Sequence, residues 1–312
     1  MNILSDNDCL IAASYYAPRG SNRLMRLGNL LTERYLNPSD RLIGIIGEPG
    51  SGKSSLIRGM FPGLELTSDD EGIKIRPLPI SQVNDRAYFS GHTYHMDIRL
   101  ETAFTQIGSL AEYIMKAVEK KKRVVIEHFE MIYPVIGLNA ELLIGLGEEI
   151  IIARPNVFGP YPEDIYKSIE GTGIFRKMAH SAEDLTGYIL REDYGYAPPE
   201  VHSDFPRGFV IEFAEKPPFN IEELEKKVRG LIKKGINIKQ FDEKSMFFFN
   251  KQYPCTGPRI HVDNSREIVN FRLLKKFFYD PLTGTHKLVG LVGRGGHGSY
   301  TYQLYLDRSK FE

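Results

Sequence analysis

The sequence predicts two domains in series, a wound α/β domain over residues 1–172 and an α+β domain over residues 173–312. Three observations predict this. A chain of 312 residues exceeds what most single hydrophobic cores organise. Up to about residue 153, short continuous apolar runs alternate with stretches of helical period, the pattern of a parallel sheet with flanking helices. A Pro/Gly-rich break at residues 154–160, followed by Gly171-Thr-Gly173, then separates this pattern from one in which helices mix with irregularly spaced strands.

In chain order, Arg41-Leu-Ile-Gly-Ile-Ile46 is an apolar run ending before a glycine, as a strand buried on both faces requires. Residues 53–60 read as the helix after it. Residues 97–122 read as one long helix, because Leu100, Phe104, Ile107, Ala111, Ile114 and Val118 recur on one face. Val124-Val-Ile126 is a second buried strand, and the runs 142–144 and 150–152 supply one or two more. Beyond the break, helices are expected at 162–169, 176–191 and 221–234. Strands are expected at 209–213, 246–249, 287–292 and 300–306.

The composition excludes several classes of protein. With 42% hydrophobic and 26% charged residues the chain is neither disordered nor of low complexity. Lys+Arg and Asp+Glu are equal at 40 each, which argues against a general polyanion binder. Two cysteines, Cys9 and Cys255, are too few for a disulfide scaffold and suit a reducing compartment. No uncharged apolar run approaches the roughly 20 residues a membrane-spanning helix needs. Asp6 and Asp8 stand where a signal peptide would be basic, so the expected location is the cytoplasm, with no membrane partner.

The strongest motif is Gly47-Glu48-Pro49-Gly50-Ser51-Gly52-Lys53-Ser54, followed by Ser55, which fits G-x-x-x-x-G-K-[ST]. Its glycines let successive backbone N–H groups turn into one cavity, and the next helix adds the positive end of its dipole. Lys53 can bridge the β- and γ-phosphates, and the Ser54 hydroxyl can ligate Mg²⁺. ATP or GTP with Mg²⁺ is therefore the expected cofactor. Glu127, ending an apolar strand, is the expected second Mg²⁺ carboxylate. Asp69 and Asp70 form either a catalytic acid pair or an acidic turn, and Arg154 is either a phosphate contact or a surface residue. Over residues 41–155 the chain resembles P-loop kinases of the uridine kinase and phosphoribulokinase type. Gly91-His-Thr-Tyr-His-Met-Asp97 sits where those kinases carry a His-Pro-Asp-type substrate segment, here without the proline. His92 and His95 are substrate-segment or plain loop histidines.

A second resemblance covers residues 175–306. It is carried, in order, by His180-Ser-Ala-Glu-Asp-Leu185, Tyr194-Gly-Tyr196, Arg207-Gly-Phe-Val-Ile-Glu-Phe213, Pro217-Pro-Phe-Asn-Ile-Glu-Glu-Leu-Glu225, Gly235-Ile-Asn-Ile238, Cys255-Thr-Gly-Pro258 and Ile268-Val-Asn-Phe-Arg-Leu273. These segments resemble the second additional domain of threonyl- and alanyl-tRNA synthetases, which hydrolyses wrongly charged aminoacyl-tRNA in those enzymes. The resemblance implies a His-x-x-x-His pair and a Cys-x-x-x-His pair around a metal. Here the first pair reads His180 and Asp184. The second reads Cys255 and Arg259, with His261 two residues further on. His180, Asp184, Cys255 and His261 are all competent zinc ligands. Arg259 repels a cation, so the expectation is a retained fold without zinc, in which an Asp184–Arg259 ion pair replaces the metal. Lys226, Lys227, Arg229, Lys233 and Lys234 alternate with glutamates, which reads as a solvated helix face before a tRNA backbone contact. Arg294 and His297 lie in a glycine-rich turn that could line the pocket.

The expected function is a nucleoside-kinase-like P-loop phosphotransferase, acting on an unspecified small-molecule acceptor and fused to a degenerate editing-like domain. Its machinery would be Lys53, Glu127 and one of Asp69 or Asp70. The alternative is a module that binds or deacylates aminoacyl-tRNA or binds an amino acid, controlled by a P-loop nucleotide switch.

Overall fold

The computed structural model describes residues 10, 12–66, 93–196, 203–242, 245–255, 257 and 260–293. The chain divides into two compact units. One comprises Met1–Ala17 and Ser21–Glu170, the other Pro18–Gly20 and Gly171–Glu312. The division therefore falls within two residues of the expected one. Three residues near the N-terminus belong by packing to the second unit.

The first unit is an α/β structure around a six-stranded sheet. Its elements are β1 (Ala12–Tyr16), α1 (Ser21–Tyr35), β2 (Leu42–Ile46), α2 (Lys53–Met60), β3 (Thr93–Asp97), α3 (Ile98–Glu101), α4 (Ile107–Glu119), β4 (Arg123–Glu127), α5 (Phe129–Ile136), β5 (Leu142–Leu146), β6 (Glu149–Ala153) and α6 (Pro162–Ile169). The sheet order is β1-β6-β5-β2-β4-β3. Strands β5, β2, β4 and β3 run parallel, and every residue of β2 and β5 is buried, as their unbroken apolar sequences require.

Two sequence expectations are corrected, and two elements are added. The sheet is mixed, because β6 runs antiparallel to both β5 and β1. Only Gly147 and Glu148 separate β5 from β6, enough for a hairpin and far too few for a crossover. The expected long helix over 97–122 is a strand end, a four-residue turn and a separate α4. Asp97 closes β3 and caps the turn, its Oδ1 accepting from Leu100 N at 3.2 Å. The apolar period was genuine only within α4, which buries Leu110, Ala111, Ile114 and Ala117, whereas Phe104 is 53% exposed. The added elements, β1 and α1, had no sequence expectation, although Leu24, Gly28 and Leu31 keep a helical period and are buried.

Helix α1 lies directly against α2. A Cβ on Gly28 would overlap the Leu56 carbonyl oxygen, and one on Gly59 would overlap that of Met25. The backbones touch where side chains would ordinarily hold helices 8–10 Å apart. Thr32 Oγ1 adds a hydrogen bond to the Met60 carbonyl at 3.0 Å.

In the second unit the elements are α7 (Gly173–Tyr194), β7 (Ser203–Phe205), β8 (Gly208–Phe213), α8 (Ile221–Lys234), β9 (Lys239–Gln240), β10 (Ser245–Phe248), β11 (Lys251–Pro254), β12 (Arg272–Leu273), β13 (Phe278–Asp280) and β14 (Thr285–Leu291). All ladders among the described residues of this unit are antiparallel. One sheet runs β12-β14-β8-β7 with β13 also on β14, and a smaller one runs β11-β10-β9. The core packs Leu185, Ile189 and Leu190 of α7 and Leu224 and Val228 of α8 with Phe209 and Ile211 of β8 and Leu288 of β14. Asn220 caps α8 through Glu222 N and Glu223 N, and Gly235 ends it in the left-handed region at φ 78°. The strand expected at 300–306 lies outside the described residues.

Gly59→Ala should destabilise the first unit by about 1–3 kcal/mol, because the new methyl has backbone rather than a movable side chain in its way. Urea unfolding of the full chain measures this, and the exposed, unobstructed Gly108→Ala serves as the control.

Candidate functional site

Two side-chain clusters stand out, one in each unit. In the first, Gly47–Gly52 joins β2 to α2 at the C-terminal edge of the parallel strands. Gly50 and Gly52 take φ values of 74° and 103°, which glycine adopts without penalty. The turn folds back on itself, with Ser51 N donating to the Glu48 carbonyl at 3.2 Å. Lys53 Nζ donates to the carbonyls of Gly47 and Glu48, both at 3.1 Å, so the loop wraps its own ammonium group. Ser55 Oγ shares a hydrogen bond with Ser21 Oγ at 2.9 Å.

Glu127 ends β4, the strand beside β2, and is only 3% exposed. Its Oε1 accepts from Ser54 Oγ and from His95 Nε2, each at 3.2 Å, and its Oε2 lies 3.8 Å from Lys53 Nζ. Burial pushes this carboxyl up, but His95, Lys53 and Ser54 outweigh burial and hold it below the usual carboxylate range. Burial also lowers the Lys53 ammonium, against the pull of Glu127. Immediately after Glu127, His128 takes the left-handed conformation at φ 58°, ending the strand and starting α5.

Asp97 pairs in register with Glu127 and lies at the same strand edge. Burial, then the neighbouring Glu127 charge, raises its carboxyl above the ordinary value. Two carboxylates so placed are driven apart in protonation, one kept charged and the other made more basic. The sequence puts Asp97 at a helix start and at the end of a substrate-type segment, with His95 a substrate-segment or loop histidine; both stand on β3. The available signal was their i, i+2 spacing, which puts both on one face of a strand.

Other expected residues fall elsewhere. Arg154 follows β6 and so emerges at the opposite end of the sheet from the glycine loop. It pairs with Asp40 through two contacts of 2.8 and 2.9 Å and donates to the Tyr35 carbonyl. It is a clip between strand ends and does not reach toward the loop. Asp69, Asp70, His92, Arg259, Arg294 and His297 lie outside the described residues.

The second cluster joins α7 to the segment after β11. His180 and Asp184 share one face of α7, four residues apart. His180 Nε2 lies 3.2 Å from Cys255 Sγ, and His261 Nε2 lies 2.8 Å from Asp184 Oδ2. Sγ lies 3.8 Å from Asp184 Oδ2 and 3.9 Å from His261 Nε2. One potential ligand atom from each of the four side chains falls within 4.8 Å of all the others. Ligands of a tetrahedral zinc stand about 3.3–3.7 Å apart, given Zn–N near 2.0–2.1 Å and Zn–S near 2.3 Å. The donor types fit that ion, and the spacings, from 2.8 Å up to at most 4.8 Å, bracket that range rather than match it. Among the described residues Asp184 pairs with His261, the histidine displaced by two positions.

Burial and then the Asp184 charge raise the Cys255 thiol well above its ordinary value, so as a free group it is protonated and a poor nucleophile. Burial lowers the His180 imidazolium, keeping the ring neutral and its lone pair available. Asp184 stays below the usual range because His180 and His261 outweigh its burial.

Among the described residues no helix is long and apolar enough to cross a membrane. Because Glu127 is held below its unfolded value of about 4.3, its ionised form stabilises the fold at neutral pH. That contribution is lost as pH falls through the lower folded value. Urea unfolding between pH 3 and 7 should therefore show a flatter acid limb for Glu127→Gln than for the wild type. The sequence matches no protein-family model, and no curated protein matches it.

Proposed function

We propose that the first unit is a P-loop phosphotransferase that binds ATP or GTP with Mg²⁺ through Gly47–Ser55. One observation carries the reading: the glycine loop curls around Lys53 at the start of a helix while Ser54 shares a buried carboxylate, Glu127, on the adjacent parallel strand. Backbone N–H groups at the start of α2, together with Lys53, favour polyphosphate there. Neighbouring oxygens around octahedral Mg²⁺ lie about 3 Å apart, close to the 3.2 Å between Ser54 Oγ and Glu127 Oε1. Mg²⁺ held by this pair would offset the phosphate charge. Lys53 stabilises the oxygens of the transferring group, and His95 fixes the Glu127 carboxylate.

Asp97, the more basic carboxylate at that edge, takes the proton of the acceptor hydroxyl as its oxygen bonds to the γ-phosphorus. The bond from that phosphorus to the β-phosphate oxygen breaks, and the nucleoside diphosphate leaves with the electron pair. The resemblance to uridine-kinase-type enzymes supports a small hydroxyl-bearing acceptor. Lys53→Ala should abolish nucleotide binding at concentrations that saturate the wild type. Asp97→Asn should bind nucleotide normally and transfer phosphoryl groups at least 100-fold more slowly. Transfer from labelled ATP and GTP across nucleosides, sugars and tRNA reads both. Release of free phosphate alone would replace the kinase reading with a nucleotide switch, the arrangement in which the second unit acts on aminoacyl-tRNA or an amino acid.

A specific observation favours a second reading, for the second unit. The four-residue cluster supports a zinc centre in a domain resembling the synthetases' additional domain, and so departs from the ion-pair clip anticipated for Asp184 and Arg259. Zinc would cross-link α7 to the loop carrying Cys255 and His261. With four protein ligands the shell is closed, which supports a structural rather than a hydrolytic role. Purified protein should carry one zinc per chain by mass spectrometry of metals, and Cys255→Ser should lose it. Zinc-free wild-type protein that takes up none on addition would refute this reading.

A further inference from the structure

We propose that Arg19 and Glu183 are positioning residues for the second unit's metal ligands, which makes the Pro18–Gly20 segment part of that centre. The proposal rests on the zinc reading of His180, Asp184, Cys255 and His261 and adds what holds those ligands in place.

Glu183 precedes the ligand Asp184 on α7 but points elsewhere. Three residues from His180, it lies along the ring, with Oε2 3.7 Å from His180 Nδ1. The same oxygen is 3.3 Å from an Arg19 guanidinium nitrogen. The three side chains are 1–3% exposed, so the line Arg19–Glu183–His180 runs through protein interior. A carboxylate beside Nδ1 favours the tautomer that carries its proton there. The lone pair then sits on Nε2, the nitrogen that faces Cys255 Sγ. At 3.7 Å the contact is longer than a hydrogen bond, so Glu183 acts on the ring as a nearby negative charge that raises the basicity of its other nitrogen.

Glu183 could not serve this role alone. It adjoins Asp184, and a second buried negative charge beside the cluster requires a counter-ion. Arg19 supplies it. Among the described side chains in contact, Glu183, Asp184 and a Cys255 thiolate carry three negative charges. Arg19 and a divalent cation carry three positive ones, so a divalent ion leaves the group neutral. The segment is held by backbone as well. Arg176 donates to the Pro18 carbonyl at 2.9 Å, and a Cβ on Gly257 would approach Gly20 N to 3.3 Å. This accounts for three residues near the N-terminus packing as part of the second unit while their chain neighbours belong to the first.

The test uses full-length protein with Co²⁺ or Zn²⁺ alone as the probe. Glu183→Gln, which keeps the side-chain shape, should weaken binding about 10–100-fold in chelator competition. It should shift the cobalt ligand-field bands while keeping the Cys255 thiolate-to-cobalt charge-transfer band. The double variant Arg19→Leu/Glu183→Leu removes both buried charges together. It should melt near the wild-type temperature and still bind weakly, which a purely structural role would not give. Wild-type affinity and spectrum in either variant would overturn the proposal while leaving the zinc reading intact. Wild-type protein that binds neither metal, in the presence of a folded circular-dichroism signature, would overturn both.

Discussion

A carboxylate removed from water must find compensating charge and donors, or give up its own charge. Glu127 meets this condition at the centre of the first unit, and much of the local architecture follows from it. It needs a hydroxyl, an imidazole and an ammonium within reach, and these come from the first two residues of α2 and from β3. Their convergence requires β3, β4 and β2 to lie side by side in parallel, in the register that sets Asp97 beside Glu127. It also requires α2 to start where it does, and α1 fixes α2 through a contact that only glycines permit.

The second unit meets the same condition with a different answer. Asp184 and Glu183 are adjacent on one helix and face different partners, His261 in one case and Arg19 in the other. His180 stands between them, presenting one ring nitrogen to each side of the network. A cluster of two imidazoles, a thiol and a carboxylate results, with an ion pair behind it. Both units therefore keep their polar groups buried and organised in ways an ordinary apolar core would not require.

The glycine motif, the apolar strands around it, helices 162–169 and 221–234 and the change of character near residue 172 were legible in the sequence. Each is a local pattern: a fixed spacing, a continuous apolar run, or a Pro/Gly-rich break. The misreadings share a cause. Residues 97–122 satisfied a helical period through Leu100 and Phe104, and nothing local revealed that Asp97 would end a strand by capping Leu100 N. The hairpin between β5 and β6 was encoded in a two-residue gap, which limits the connection without stating what pairs with what.

The sequence by itself determined the chemistry in stock: a lysine and serine after a glycine turn, an acid closing an apolar strand, and two pairs of metal-competent side chains 71 or more residues apart. Tertiary structure alone decided which of them meet. It brought His95 and Asp97 to Glu127, assigned His261 to Asp184, sent Arg154 to the far end of the sheet, and enlisted Arg19 across 164 positions of sequence. The physical reason is that periodicity and spacing fix the face a residue occupies on its own element. Its partners depend on strand order and buried-charge compensation, which exist only once the elements pack.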